Sequence, residues 1–96
     1  MIIYIAGPMS GKLDYNRPAF MEAQALLESK EHIVLNPAVL PTALPDKSYL
    51  PICMAMIEAA DTIYMLKGWR DSAGAKAEYY YAARQGKLVI YQGERP

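Results

Sequence analysis

One cysteine and one histidine are all that the sequence offers toward disulfide or imidazole–metal chemistry. Cys53 has no second cysteine to pair with, so no intrachain disulfide is expected, which suits a reducing, cytoplasmic setting. His32 alone supplies no zinc set. No sign of charge is in excess: Lys plus Arg number 10 and Asp plus Glu number 10, so nothing argues for nucleic-acid binding. No apolar run approaches the ~20 residues of a membrane span. The start, Met1-Ile2-Ile3-Tyr4, lacks the basic segment and long apolar stretch of a secretory leader. Repeats and low-complexity tracts are missing as well. Apolar side chains are what the chain does have: they make up 53% of its 96 residues. That is enough for one small packed domain over residues 1–96, and the surplus suggests a homo-oligomer.

The apolar residues come in short runs separated by helical patterns. Ile2 to Ala6 reads as a buried strand ended by Gly7-Pro8. Asn16 before Arg17-Pro18 is an N-cap with an early-turn proline. The helix that follows carries Phe20, Ala23, Ala25, Leu26 and Leu27, with Glu22, Gln24, Glu28 and Lys30 mostly outward. His32 to Leu35 is a second strand, ended by Asn36-Pro37. Residues 37–47 hold Pro37, Pro41 and Pro45 without helical period and read as a stiff, irregular loop. Ser48 can cap a helix over residues 49–60, with Ile52, Met56, Ile57 and Ala60 inward and Pro51 in its first turns. Thr62 to Leu66 is a third strand and Lys67 to Asp71 a loop. A helix starts at Ser72 or Ala73 and ends near Gly86, a C′ glycine. Leu88 to Tyr91 is a fourth strand, and a tail follows to Pro96.

Strands alternating with helices imply a parallel sheet with right-handed crossovers. The fold class is α/β: a three-layer, flavodoxin- or Rossmann-like domain with four strands ordered 2-1-3-4. In such sheets ligands bind at the carboxyl ends of the strands, where strand order reverses. Three segments converge there: Gly7 to Gly11, Asn36 to Ala38, and Lys67 to Ser72.

"GPMSGK" resembles a nucleotide-triphosphate loop but fails its spacing. Three residues, not four, separate Gly7 from Gly11, and Leu13 stands where a Ser or Thr would hold magnesium. The dinucleotide pattern lacks its third glycine. What remains is a tight turn, in which Gly7, Ser10 and Gly11 can form an amide-lined nest for an anion.

"GWRDSAGAKAEYYYAARQGK", residues 68–87, is richer. Ser72 sits at a helix N-terminus, where free N–H groups and the macrodipole favour an anion. Gly74 and Glu78 lie on one helical face, and the glycine leaves room one turn before the carboxylate. The ordinary reading of Glu78 is a solvated helix residue; the alternative is a carboxylate that a ligand reaches. Asp61 opens the third strand at its amino end, either as a turn former or as a site carboxylate. Tyr4 reads as a core tyrosine with a satisfied hydroxyl. Trp69 either stacks on a planar base or covers the sheet edge. Tyr79, Tyr80 and Tyr81 span about 200° of helix, so at least one lies at an interface or a site.

Taken together, "IYIAGPMSG", "NP" after the second strand, "AADTIYML" and "GWRDSAGAKAEYYYAARQGK" resemble the nucleoside 2-deoxyribosyltransferase-like superfamily. The resemblance runs from Tyr4 to Val89 and is nearest to a short phage and prophage branch. It implies cleavage of an N-glycosidic bond without a cofactor, in a homodimer or higher oligomer. By that resemblance Glu78 attacks C1′ of a 2-deoxyribose, Asp61 assists the leaving base and Tyr4 orients the nucleophile. Relatives with serine six positions before the glutamate are 2′-deoxynucleoside 5′-phosphate N-hydrolases. Ser72 is that match, so a nucleotide is implied rather than a nucleoside. Gly7, Ser10, Gly11, Asn36, Trp69 and Gly74 complete the expected substrate site. A non-catalytic nucleotide- or sugar-phosphate-binding module of phage origin is the alternative.

Overall fold

A computed structural model describes residues 1–93 of the chain; within the expected tail, 94–96 lie outside the described residues. Four strands form one parallel sheet: β1 (Ile2–Ala6), β2 (Ile33–Leu35), β3 (Thr62–Met65) and β4 (Leu88–Tyr91). Their order is β2-β1-β3-β4, the order expected from the sequence. In register, Tyr4 lies beside Leu35 on one side and Ile63 on the other, while Thr62 to Met65 run along Leu88 to Tyr91.

Alternation along β1 divides the core. Ile3 and Ile5 point to one face and pack with Phe20, Ala23 and Leu27 of helix α1 (Arg17–Ser29). Tyr4 and Ala6 point to the other face. They pack with Cys53 and Ile57 of α2 (Asp46–Ala59) and with Ala75 and Ala82 of α3 (Ala73–Arg84). The result is three layers, with α1 on one face of the sheet and α2 and α3 on the other. Each fully buried isoleucine here is worth about 1.5–3 kcal/mol of burial.

Helix interiors differ from expectation in detail. Ala25 and Leu26 face solvent, because Phe20, Ala23 and Leu27 already fill the narrow stripe that α1 turns inward. Helix α2 begins at Asp46, ahead of Ser48, which does not cap it. The amides of Ser48 and Tyr49 both bond the carbonyl of Pro45, and an acidic first turn suits the helix dipole. Pro51 therefore lies inside the helix rather than at its opening, and Ile52 is exposed while Cys53 is buried. Asn16 occupies the cap position of α1 without capping it; its Nδ2 donates instead to the carbonyl of Pro8 at 2.9 Å. Gly86 ends α3 at φ +74°, where glycine carries no steric penalty. The three adjacent tyrosines separate as expected. Tyr79 packs on Trp69, Tyr80 is exposed, and the Tyr81 hydroxyl donates to Glu58.

Candidate functional site

The order β2-β1-β3-β4 puts the switch point between β1 and β3, and a cavity of about 570 Å³ opens there at the carboxyl ends of the strands. Gly7 to Ser10 enter it after β1, Pro37 and Ala38 after β2, and Gly68 with Asp71 to Ala75 after β3. Its size lies in the range of small-molecule sites.

Glu78 lines this cavity from α3. The hydroxyl of Tyr4, in the centre of the sheet, donates to Glu78 Oε2 at 2.6 Å. Burial pushes the Glu78 carboxyl up to about 7, and the bond from Tyr4 pulls it the other way. Tyr4 is fully buried; burial and then the neighbouring charge of Glu78 raise its phenol far above its ordinary value. Cys53 and Tyr49 of α2 complete the surroundings. Burial raises the Cys53 thiol, with Glu78 adding to the effect and bonds to Tyr4 and Tyr49 opposing it. Burial likewise raises Tyr49, whose hydroxyl meets Met9 Sδ at 3.2 Å. A carboxyl held near neutrality, at the wall of a cavity and bonded on one side, is equipped for proton transfer or nucleophilic attack.

Ser72 caps α3: its Oγ accepts from the Ala75 amide at 3.2 Å while the residue lines the cavity. Gly74 also lines it, and a Cβ there would meet nothing within 4 Å. The room above Glu78 is therefore real space. Gly7 is glycine for a different reason: a Cβ would stand 2.8 Å from both Cβ and Cδ1 of Leu66. Gly7→Ala is expected to cost about 1–3 kcal/mol of stability by overpacking, read as a lower denaturant midpoint.

Glu78, Tyr4, Gly7, Ser10, Ser72 and Gly74 thus gather in or against one cavity, and four other expected residues do not join them. Asp61 lies at the opposite edge of the sheet. Its Oδ2 accepts from the Ile2 amide at 3.0 Å and its Oδ1 from Thr62 Oγ1 at 2.8 Å. Those two bonds hold its carboxyl below the ordinary range. It staples the starts of β1 and β3, in place of the catalytic role that the resemblance implied. Asn36 is buried beside the cavity without lining it. It caps the 3₁₀ turn Pro37–Val39 through Ala38 N at 2.8 Å and donates to Gln24 Oε1 at 2.9 Å. Trp69 is spent on packing, with its ring 4.8 Å from Tyr79 and 6.0 Å from Tyr91, and the Arg70 guanidinium 4.7 Å over it. Gly11 turns the loop at φ +76° outside the cavity.

The cavity also holds side chains that sequence reasoning missed: Arg17, Tyr49, Asp46 and Asp71. Asp71 adjoins Ser72, which could have flagged it. Asp46 lies in a proline-rich stretch without helical period, and Arg17 carries no signal beyond its place at a helix start. Among the described residues, no group of three or more His, Cys, Asp or Glu side chains is placed to hold a metal ion, and no helix is long and apolar enough to cross a membrane.

A parallel α/β domain with a carboxylate-bearing ligand cavity at its switch point is the class that fold and site define. Residues 1–91 match the family described as "Domain of unknown function (DUF4406)", and the chain belongs to that family. No curated protein matches it. Among solved structures it is similar to a "2-desoxiribosyltransferase from Leishmania mexicana", with a TM-score of 0.77 and 26% identity. The likeness covers 94% of this chain and 62% of that one, so the chain spans less than two thirds of its neighbour's length. At the level of the superfamily, this likeness agrees with the motif resemblance.

Proposed function

We propose that the chain cleaves or transfers the N-glycosidic bond of a 2′-deoxynucleoside 5′-phosphate, with Glu78 as nucleophile. The observation that carries the reading is the Tyr4–Glu78 pair at the cavity wall. Similarity to a 2-desoxiribosyltransferase supports it. In the first step a Glu78 oxygen bonds C1′ while the C1′–N bond breaks, and the bond's electron pair leaves with the base. Asp71 or Asp46, both lining the cavity, supplies the proton the base takes up; Asp61 is too remote for that role. Water or a second base then attacks C1′ and releases Glu78. Ser72 at the start of α3 and the turn from Gly7 to Ser10 receive the phosphate. A second copy of the chain packing near the site is part of this reading, given the exposed Leu50 at its rim.

Incubation with each deoxynucleoside monophosphate, with and without a second free base, tests the proposal by chromatography. Release or exchange of a base is expected. Tight binding with no product from any substrate would leave a binding module instead.

A further inference from the structure

The walls of the cavity differ in charge. Lys12 and Arg17 reach it from the loop after β1 and the start of α1, whereas Asp46, Asp71 and Glu78 reach it from the side of α2 and α3. Arg17 stands out because its Nε is sealed from solvent and has no hydrogen-bond partner. Buried donors are nearly always paired. A guanidinium, unlike an amine, cannot escape the deficit by losing its proton. Because Arg17 lines the cavity, an anionic ligand bound there would lie against this fixed positive charge.

The backbone holds Arg17 there by an unfavourable route. Asp14, Tyr15 and Asn16 have φ of 51°, 52° and 61°, a left-handed turn made without glycine. Such conformations disfavour side-chain-bearing residues and gather at functional sites. The Asn16 bond to the Pro8 carbonyl ties this turn to the segment after β1. The chain is thereby wound so that Arg17 opens α1 at the cavity.

We propose that Arg17 is the specificity residue for the charged end of the substrate: its guanidinium binds the phosphate oxygens, with Lys12 as a second positive charge, and selects a nucleotide over a nucleoside. This rests on the reading of the cavity as a nucleotide site. It adds a fixed charge that Ser72 and the glycine turn lack. The planar fork of N–H groups matches phosphate oxygens, which a lysine meets only as a point charge.

The test is calorimetric titration of the intact chain, its Arg17→Met variant and its Arg17→Lys variant. The probes are inorganic phosphate, the deoxynucleoside 5′-monophosphates and the matching deoxynucleosides. Base release is measured in parallel. The unmodified protein is expected to prefer monophosphate to nucleoside. Arg17→Met is expected to weaken monophosphate and phosphate binding by about 10- to 100-fold, the range of a hydrogen bond to a charged group, and to leave nucleoside binding unchanged. Arg17→Lys is expected to recover part of that loss. A preference that survives Arg17→Met overturns the proposal, and continued base release then leaves the glycosidic reading standing. A protein that binds neither phosphate nor monophosphate also overturns it. Arg17-dependent phosphate binding without any base release supports it while removing the glycosidic chemistry. If Arg17→Met fails to fold, the lysine variant decides: monophosphate affinity equal to the unmodified protein's overturns the proposal.

Discussion

Glu78→Gln is expected to lower base release at least about 10³-fold and, at the same time, to stabilise the fold above neutral pH. The first effect follows from chemistry: an amide keeps the shape and can still accept from Tyr4, but it cannot form the glycosyl ester. The second follows from linkage. The Glu78 carboxyl titrates near 7 in the folded chain against an ordinary 4.5, chiefly because burial disfavours its charge. Between those values the unfolded chain has released its proton and the folded chain has kept it. Stability therefore falls as pH rises through that window, and the deficit is complete above about pH 7. At about 1.4 kcal/mol per pH unit the deficit is at most about 4 kcal/mol. Glutamine removes it, so thermal unfolding at pH 8 should shift upward by several degrees, with no gain at pH 4. A variant that is active, or no more stable than its parent at pH 8, contradicts the assignment.

That trade of stability for reactivity was partly legible in the sequence. The i, i+4 spacing put Gly74 and Glu78 on one face of a helix whose start Ser72 could cap, and the structure keeps that arrangement around open space. The parallel sheet followed from alternating elements, and the expected order 2-1-3-4 placed the cavity at the carboxyl ends of the strands. The partner of Glu78 came only from the motif resemblance, since Tyr4 lies 74 positions away and no local pattern pairs the two. Residue type misled where local needs absorbed the side chain. Asn36 has the groups of a ligand-binding amide, yet its oxygen caps a turn and its nitrogen bonds Gln24. Trp69 could stack on a base, yet Tyr79 and Tyr91 already occupy it. Asp61 was expected from the motif to assist the leaving base, yet its oxygens are taken by the Ile2 amide and the Thr62 hydroxyl at the amino ends of the strands. The left-handed turn at Asp14 to Asn16 had no glycine to announce it.

Tyr4→Phe is expected to move the acid limb of the pH–activity profile to higher pH. The hydroxyl of Tyr4 is the group that favours the ionised Glu78; burial opposes that form. Cys53 and Tyr49 of α2 border the pair, and burial raises both, so neither supplies a compensating charge; Lys12, Arg17, Asp46 and Asp71 line the same cavity. In the parent, a nucleophile titrating near 7 sets the acid limb, on which kcat/KM rises toward neutrality. Removing the phenol raises the Glu78 value further, so fewer molecules are ionised at pH 7. A bond to a charged group is worth about 1.5 kcal/mol or more, so the loss at pH 7 should be about tenfold or greater. Near pH 9 most of that loss should disappear, because the carboxyl ionises there even without its donor. A loss of equal size at every pH would mean that Tyr4 aims the carboxylate at C1′ rather than holding its charge. An unshifted limb with full activity would mean that the 2.6 Å bond serves only the core.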